Sequence, residues 1–227
     1  MSKIFQYGEK EITYLRNVDP ALGKIIDQLG HLERAIDPDL FTSLIQSIVA
    51  QQISAKAADT VWSRLLTHLN KITPKTIDTA NVEDIQQCGM SMRKATYIKD
   101  AAHKVCSGEL DIKSLGNLSD EEVCQQLSAL NGIGTWTAEM LLIFSMQRPD
   151  ILSWNDLATH RGLRMLYRHR KIDKKLFEKY RRRYSPYNTV ASLYLWAIAG
   201  GACNLKDYAP MTDAQKKKVR KKKEKKK

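Results

Sequence analysis

Residues 130–138 read Leu-Asn-Gly-Ile-Gly-Thr-Trp-Thr-Ala and separate two segments whose apolar residues recur at helical spacing. Gly132 and Gly134 permit positive φ angles and the close approach of another backbone. Ile133 can insert into the apolar angle between the two helices, and Thr135 can cap the second helix. The free N–H groups at the start of that helix can then bind a phosphate oxygen without a charged side chain. The stretch predicts a phosphate-binding turn between helices; an ordinary glycine-rich turn is the alternative interpretation.

The helical pattern continues on both sides of this turn. Between residues 40 and 49 the apolar side chains follow an i, i+3, i+4 pattern, which places them on the buried face of an amphipathic helix. Further helices are predicted at residues 82–87, 93–107, 120–130, 136–146, 156–167 and 190–199. The pairs Asp19-Pro20 and Asp37-Pro38 are typical of helix starts, whereas residues 4–14 have a pattern compatible with extended structure. We therefore predict an all-α fold.

Positive charge is concentrated near the end of the sequence. The net charge is +12, and residues 216–227, which read KKKVRKKKEKKK, supply +9 of it. A block of like charge this dense repels itself, so we expect residues 211–227 to form a disordered basic tail. Such a tail can increase the affinity for DNA without reading its sequence, or it can simply keep the chain in solution.

Composition narrows the class of protein further. The four cysteines are widely spaced and form no CxxC pair, which argues against a zinc or iron–sulfur site held by cysteines. The sequence has no apolar run long enough for a transmembrane helix, and residues 1–17 lack the apolar core of a signal peptide. These features predict a cytoplasmic protein, associated with the nucleoid or, in a eukaryote, located in the nucleus.

The hairpin and the residues after it resemble the helix-hairpin-helix superfamily of base-excision DNA glycosylases, which combine a hairpin of the form LxGIGxxTA with an essential Asp further along the chain. Bifunctional members carry a Lys at the position of Trp136, so the Trp resembles the 3-methyladenine DNA glycosylase II branch. Two further stretches agree: IVAQQISAKAA at residues 48–58 and YSPYNTVASLYLW at residues 184–196. The sequence departs from the family where Asn188 replaces its usual Arg and where no room remains for the N-terminal β-domain of larger members.

The resemblance implies a glycosylase domain over residues 1–210. We expect two packed helical subdomains, roughly 35–110 and 111–205, with the N-terminal segment packed on the second and the active site in the cleft between them. The resemblance also implies that the hairpin binds DNA and that its backbone carbonyls can hold a monovalent cation; we expect no other cofactor and no metal bound by side chains. The predicted DNA-binding residues of the hairpin are Leu130, Asn131, Gly132, Ile133, Gly134, Thr135 and Thr137.

Asp156 is the predicted catalytic residue. Cleavage of an N-glycosidic bond develops positive charge on the deoxyribose, which a nearby carboxylate can stabilise while it orients or deprotonates the attacking water. The resemblance gives this role to Asp156, which follows the hairpin helix and a turn at Pro149-Asp150. Residues 153–156 also fit a helix capping box, so Asp156 can start a helix, and the two roles can coexist. Because Trp136 replaces the Schiff-base Lys, we expect no lyase step.

Base extrusion requires an aromatic pocket and a wedge. A cationic alkylated purine stacks well on electron-rich rings, and family position makes Trp136 and Tyr184 the predicted pocket, with Trp154 a weaker candidate. Packing in the core is the alternative for each ring. The wedge that fills the gap in the duplex is predicted at Gln52, Ile53 and Ser54, which break the apolar pattern at a helix end. A solvent-exposed junction between two helices is the alternative interpretation of this stretch. Because Ser54 is small, Ile53 or a residue of Met90-Ser91-Met92 is expected to contribute.

These features together predict a monofunctional DNA glycosylase of base excision repair. Its expected substrates are alkylated purines such as 3-methyladenine and 7-methylguanine in double-stranded DNA, and we expect a monomer with no membrane partner. Two alternatives remain at this point: a non-catalytic helix-hairpin-helix DNA-binding module, and a glycosylase for oxidised or deaminated bases. Loss of base release in an Asp156 variant separates the first alternative from the enzyme.

Overall fold

Almost all regular structure in the protein is helical. The computed structural model describes residues 3–210, so the predicted basic tail lies outside the described residues. The helices within that range are α1 Glu9–Val18, α2 Pro20–Leu29, α3 Leu40–Ala50, α4 Ala55–Leu69, α5 Pro74–Thr79, α6 Val82–Gln87, α7 Met92–Ser107, α8 Asp120–Ser128, α9 Thr135–Phe144, α10 Leu157–Tyr167, α11 Lys174–Tyr184 and α12 Asn188–Ala199. The strands are β1 Lys3–Ile4 and β2 Ala35–Ile36, which pair antiparallel. The all-α prediction is confirmed.

The described chain divides into two compact units. The first unit contains residues 3–6 and 33–151, and the second contains residues 7–32 and 152–210. This division does not fall near residue 110, where the sequence led us to expect it. The reason is that α9 packs on α3, and the side-chain amide of Gln51 donates a 2.6 Å hydrogen bond to the carbonyl of Gly132, so the hairpin belongs to the first unit.

The first unit is organised around α7. This helix packs against α3, α5 and α6, while α3 also contacts α4 and α9, and α8 packs on α9. The core of the first unit is aliphatic and includes Leu44, Ile48, Ile98 and Leu127, all of them fully buried. The side chain of Lys99 donates to the carbonyls of Asp78 and Ala80, which satisfies backbone acceptors at the end of α5.

The second unit is built on the contact between α10 and α12, with α2 against both helices and α1 against α2 and α11. Asp19 caps α2 by accepting from the backbone N–H groups of Ala21 and Leu22. The buried Asp19 carboxylate also accepts from the Tyr167 hydroxyl at 2.7 Å and from Arg183 at 2.5 Å. The predicted helix start at Asp19-Pro20 is therefore correct, and its capping carboxylate also ties α2 to α10 and α11.

Two local predictions need correction, and one basic helix was not predicted. Residues 4–14 are not one extended stretch: β1 ends at Ile4 and α1 begins at Glu9. The helix expected at Asp37-Pro38 starts later, because Asp39 accepts the N–H of Thr42 and is the N-cap of α3. The basic helix α11 was not predicted, since only three of its residues (Phe177, Tyr180 and Tyr184) are buried among many charged ones.

Helices α10 and α12 approach closely at Gly162. A Cβ atom at this position would lie 2.9 Å from the carbonyl carbon of Leu195 and nearer still to its oxygen. Real Cβ atoms do not come so close to backbone atoms, and the backbone of α12 cannot move aside as a flexible side chain can. Only glycine permits this helix pair to pack as it does, and the pair carries the residues of the candidate active site.

We predict that Gly162→Ala lowers the free energy of unfolding by about 1–3 kcal/mol, because an added methyl group overpacks the helix contact. Urea denaturation followed by circular dichroism measures this change. Gly116→Ala is the matched control, since a Cβ there meets no atom within 4 Å, and it should change stability by about 0.5 kcal/mol or less. Equal losses in the two variants would contradict the proposed steric role of Gly162.

Candidate active site

The Asp156 side chain caps the N-terminus of α10. Its Oδ1 accepts the backbone N–H of Ala158, and its Oδ2 accepts that of Thr159, each at 3.1 Å. The capping interpretation of this residue is therefore correct, although Asp156 itself is the cap and the Ser153 carbonyl only accepts its backbone N–H at 3.4 Å. The residue is 7% exposed.

Two side chains add donors to the same carboxylate oxygen. The Thr159 hydroxyl donates to Asp156 Oδ2 at 2.5 Å, and the indole N–H of Trp196 also donates to Oδ2. Trp196 lies on α12, and its indole N–H is also 3.2 Å from the Thr159 hydroxyl. Oδ2 thus accepts three hydrogen bonds and Oδ1 accepts one, so the carboxylate is held in one orientation.

The hairpin between α8 and α9 takes its shape from Gly132. This residue has a φ angle of +84°, and a Cβ atom on it would lie 2.5 Å from the ring of Tyr97. Ile133 is buried, as its predicted insertion requires. The predicted cap at Thr135 is wrong: Gly134 is the N-cap of α9 and no side chain caps this helix. The first N–H groups of α9 therefore have no capping side chain, whereas those of α10 are capped by Asp156.

A lysine and a glutamine fix the hairpin to the end of α3. The Lys94 ammonium group donates to the carbonyls of Val49 at 2.8 Å and Gln51 at 2.6 Å, and Gln51 in turn donates to Gly132. Burial lowers the pKa of Lys94. At the tip of the hairpin, the Asn131 amide donates to Asp100 at 3.0 Å.

The predicted wedge residues form an exposed turn between α3 and α4. Gln52 has a φ angle of +57°, and Ile53 is 40% exposed, which is unusual for a large aliphatic side chain. Ser54 is the N-cap of α4 and accepts the N–H of Ala57, so its hydroxyl has a structural role. In the neighbouring stretch, Met90 is buried and Ser91 caps α7, while Met92 is 45% exposed.

The three predicted pocket rings differ in exposure. Trp136 is 46% exposed at the start of α9. Trp154 is half-buried against Phe177, and Lys174 lies 5.2 Å from its ring centre. Tyr184 is fully buried and its hydroxyl lies 2.5 Å from that of Tyr167, so its ring offers no face to a ligand in this structure. Trp136 is the most accessible of the three rings.

A cavity of about 530 Å³ opens in the first unit. Met140 and Phe144 line it, and they lie one and two turns after Trp136 on the same face of α9. The other lining groups that matter here are the Trp62 ring, the carboxyl groups of Asp37 and Asp59, and three serines, Ser43, Ser47 and Ser145. Ser145 is 6% exposed, and its hydroxyl has no hydrogen-bond partner among the described residues.

Comparison with known proteins identifies the family. A model of the "HhH-GPD superfamily base excision DNA repair protein" matches residues 45–186, which is more than half of the chain. The chain belongs to the HhH-GPD superfamily. It is 36% identical over 161 residues to DNA-3-methyladenine glycosylase 1 of Schizosaccharomyces pombe, and the alignment covers 69% of this chain and 71% of that protein.

Solved structures agree with the HhH-GPD assignment. The crystal structure of a DNA-3-methyladenine glycosidase from Bacillus halodurans superposes with a TM-score of 0.80 at 35% identity, covering 88% of this chain and 94% of that one. The 3-methyladenine DNA glycosylase of Schizosaccharomyces pombe in complex with abasic DNA superposes with a TM-score of 0.72 at 31% identity, covering 88% of this chain and 100% of that one. The resemblance found in the sequence is confirmed.

Sequence reasoning missed several residues of this HhH-GPD site. Thr159 carried a signal, because an Asp followed three residues later by Thr is a local capping pattern. Trp196 lies forty positions from Asp156, and no local pattern links the two. Leu157 is 84% exposed directly beside the catalytic candidate, and an exposed leucine leaves no sequence signature. Asn188, which replaces the family's usual Arg, donates to the Arg181 carbonyl at 3.0 Å.

We predict opposite phenotypes for alanine at the two hairpin glycines. Gly132→Ala should lower the free energy of unfolding by about 2 kcal/mol or more, because a positive φ and a clash with Tyr97 both oppose a side chain. Gly134→Ala should cost about 1 kcal/mol or less, since its φ is −90° and a Cβ meets nothing within 4 Å. Gly134→Ala should nevertheless weaken binding to duplex DNA, because its methyl group obstructs the uncapped N–H groups of α9. Fluorescence anisotropy with a labelled duplex measures that binding; unchanged affinity would contradict this assignment of the phosphate site.

Proposed function

We propose that the protein is a monofunctional DNA glycosylase that extrudes alkylated purines from duplex DNA and hydrolyses their N-glycosidic bond. The observation that carries the proposal is the Asp156 carboxylate, which is nearly buried and held by four hydrogen bonds at the N-terminus of α10. Its relatives named as 3-methyladenine glycosylases support the choice of alkylated bases over oxidised ones.

The two oxygens of Asp156 suit different tasks. Oδ2 accepts from Thr159 twice and from Trp196, so it has the anchoring role. Oδ1 accepts only the Ala158 N–H among the described residues and keeps a lone pair for a ligand. We assign to Oδ1 the interaction with the positive charge that develops on the deoxyribose, and the orientation of the attacking water. A fixed carboxylate needs little reorganisation during the reaction, which favours this form of electrostatic catalysis.

The reaction should end at the abasic site. Strand cleavage by this class of enzyme needs an amine that forms a Schiff base with the sugar. Trp136 stands at the family position of that amine, and an indole N–H is a donor without nucleophilic character. The products expected from this chain are therefore a free base and an intact strand with an abasic site.

We assign the base pocket to the cavity of the first unit together with Trp136. Its volume of about 530 Å³ lies in the usual range of small-molecule sites, roughly 300–1,000 Å³. A cationic purine would be stabilised by the Trp62 and Trp136 rings through cation–π contacts and by the carboxylates of Asp37 and Asp59. Tyr184 is not part of this proposal, because its ring is fully buried.

The hairpin and the turn at residues 51–54 supply the DNA contacts. We assign phosphate binding to the N–H groups at the start of α9 and the wedge to Gln52 and Ile53, which are exposed while Ser54 is engaged as a helix cap. Backbone carbonyls of the hairpin are suitable ligands for a monovalent cation. The Gly132 carbonyl already accepts the Gln51 amide and the Leu130 carbonyl accepts the Ile133 N–H, so a cation here would have to share these carbonyls or use that of Ile133.

We predict that Asp156→Asn abolishes base release while DNA binding persists. Asparagine keeps one acceptor oxygen for the three donors that Asp156 Oδ2 receives, and its NH2 group would oppose only the Ala158 N–H, so the fold should be retained at a cost of about 1–2 kcal/mol. Removal of the charge should slow release by at least about 100-fold. Duplex DNA treated with a methylating agent is incubated with each protein, and 3-methyladenine and 7-methylguanine are quantified by chromatography. Asp150→Asn, six residues earlier in the turn after α9, is the matched control and should retain activity. If the wild type binds the duplex but releases neither base, the chain acts as a binding module on this damage class.

A further inference from the structure

Residues 168–183 contain a dense basic surface that the proposed catalytic steps do not use. This segment covers the whole connection between α10 and α11 and all of α11 except Tyr184. It carries nine Lys or Arg residues against two acidic ones, a net charge of +7. Residues 1–215 together carry only +3, so the remainder of that part is net negative. The positive charge of the described protein is therefore concentrated on one segment of the second unit.

The arrangement of α11 separates its apolar and basic faces. Phe177, Tyr180 and Tyr184 are buried and lie on one face. Lys175, Lys179 and Arg182 are spaced i, i+4, i+7 and lie on the opposite face, where all three are exposed. We call Lys175, Lys179 and Arg182 the basic ridge.

Internal ion pairs use only part of this charge. Arg181 pairs with Glu178 at 2.8 Å, Arg183 pairs with Asp19, and Lys174 lies over the Trp154 ring. The three ridge residues form no ion pair with any residue between 3 and 210 in the structure, and neither do the exposed Arg168, Arg170 and Lys171 that precede them. Their mutual repulsion is a cost in the free chain that a polyanion would remove.

We propose that the basic ridge binds the phosphate backbone of DNA, separately from the phosphate contact assigned to the hairpin and from base recognition in the pocket. The surface lacks the exposed apolar side chains that a membrane or a protein partner would require. The large exposed apolar side chains within residues 3–210 are Ile53, Leu66, Met92, Trp136 and Leu157, and none lies on the ridge. A membrane-bound helix needs such groups to insert between lipids, and a protein interface needs them as anchors. A ridge that offers charge alone fits a partner recognised through charge alone, and the chain belongs to a DNA repair family.

The consequence is a second mode of DNA contact that reads neither sequence nor damage. Contacts of this kind release counterions, act over several ångströms and retain a protein on undamaged duplex while it moves along the strand. The inference goes beyond the proposed excision reaction, because it applies equally to a duplex with no damaged base. Binding of DNA by the basic ridge can therefore be correct or wrong regardless of whether Asp156 is catalytic.

The test compares two full-length variants that lose the same charge. Lys175→Gln/Lys179→Gln/Arg182→Gln removes the ridge, and Lys10→Gln/Lys24→Gln/Lys206→Gln removes three exposed lysines elsewhere in the same unit. Binding to an undamaged 30-base-pair duplex is measured at several salt concentrations, with the size of the duplex chosen to be roughly three helical turns. The plot of log affinity against log salt loses about 0.9 of slope for each phosphate contact removed.

The ridge variant should lose about 2 to 3 units of salt slope, and its affinity at 0.1 M salt should fall about 10- to 100-fold, while the control stays close to wild type. The three single substitutions should each lower the slope by about 1, which guards against a folding defect in the triple variant. Equal slopes for the ridge and control variants would overturn the proposal. It would equally be overturned if the ridge variant kept its DNA affinity but lost binding to phosphatidylserine vesicles.

Discussion

The hydrogen-bonded carboxylate of Asp156 is the feature on which the candidate active site depends. It satisfies backbone donors at the start of α10, and it also receives the Thr159 hydroxyl and the Trp196 indole N–H. The position of Trp196 depends on α12, and α12 can approach α10 only because residue 162 is glycine. A carboxylate that is part of the helix cap and of a helix–helix contact cannot rotate away without loss of both, so the fold itself orients the group to which we assign the chemistry.

The N-termini of α9 and α10 differ in how their backbone N–H groups are satisfied. The N-terminus of α10 carries its own anion, because Asp156 occupies the position where the helix dipole favours negative charge. The N-terminus of α9 carries no capping side chain, because Gly134 is its N-cap. Gly132, in the turn before α9, has a positive φ angle of 84°, which residues with a side chain rarely adopt. The same physical property, a row of unsatisfied backbone N–H groups, is thus used internally to fix a carboxylate and is available externally for a phosphate oxygen.

Local signals allowed much of this to be predicted from the sequence. Helices with regular apolar spacing or clear caps, such as α3, α6 and α10, were predicted within one or two residues of their bounds. The hairpin was recognised from the whole stretch Leu-Asn-Gly-Ile-Gly-Thr-Trp-Thr-Ala at residues 130–138, in which two glycines flank an isoleucine between helical segments. The partners that come from distant parts of the chain were not predictable: Trp196 beside Asp156, Gln51 at Gly132, and the burial of Tyr184 beneath Tyr167. Family position suggested that Tyr184 faces a ligand, but whether a ring faces a cavity or the core depends on neighbours that the linear pattern does not contain.

Charge in this protein acts at two ranges. Asp156 is a single carboxylate, 7% exposed and surrounded by fixed donors, so its interactions are short-ranged and little affected by salt. The cations of residues 168–183 are mostly exposed and unpaired within the described residues, so their field extends into solvent and is screened within about 10 Å at 0.1 M salt. The fixed, nearly buried carboxylate suits the role proposed for Asp156, in which it interacts more strongly with the sugar in the transition state than in the ground state. The exposed cations of residues 168–183 suit the attraction of any DNA duplex. Because only the exposed cations are strongly screened, salt should weaken the proposed capture of DNA while leaving the proposed chemistry at Asp156 nearly unchanged.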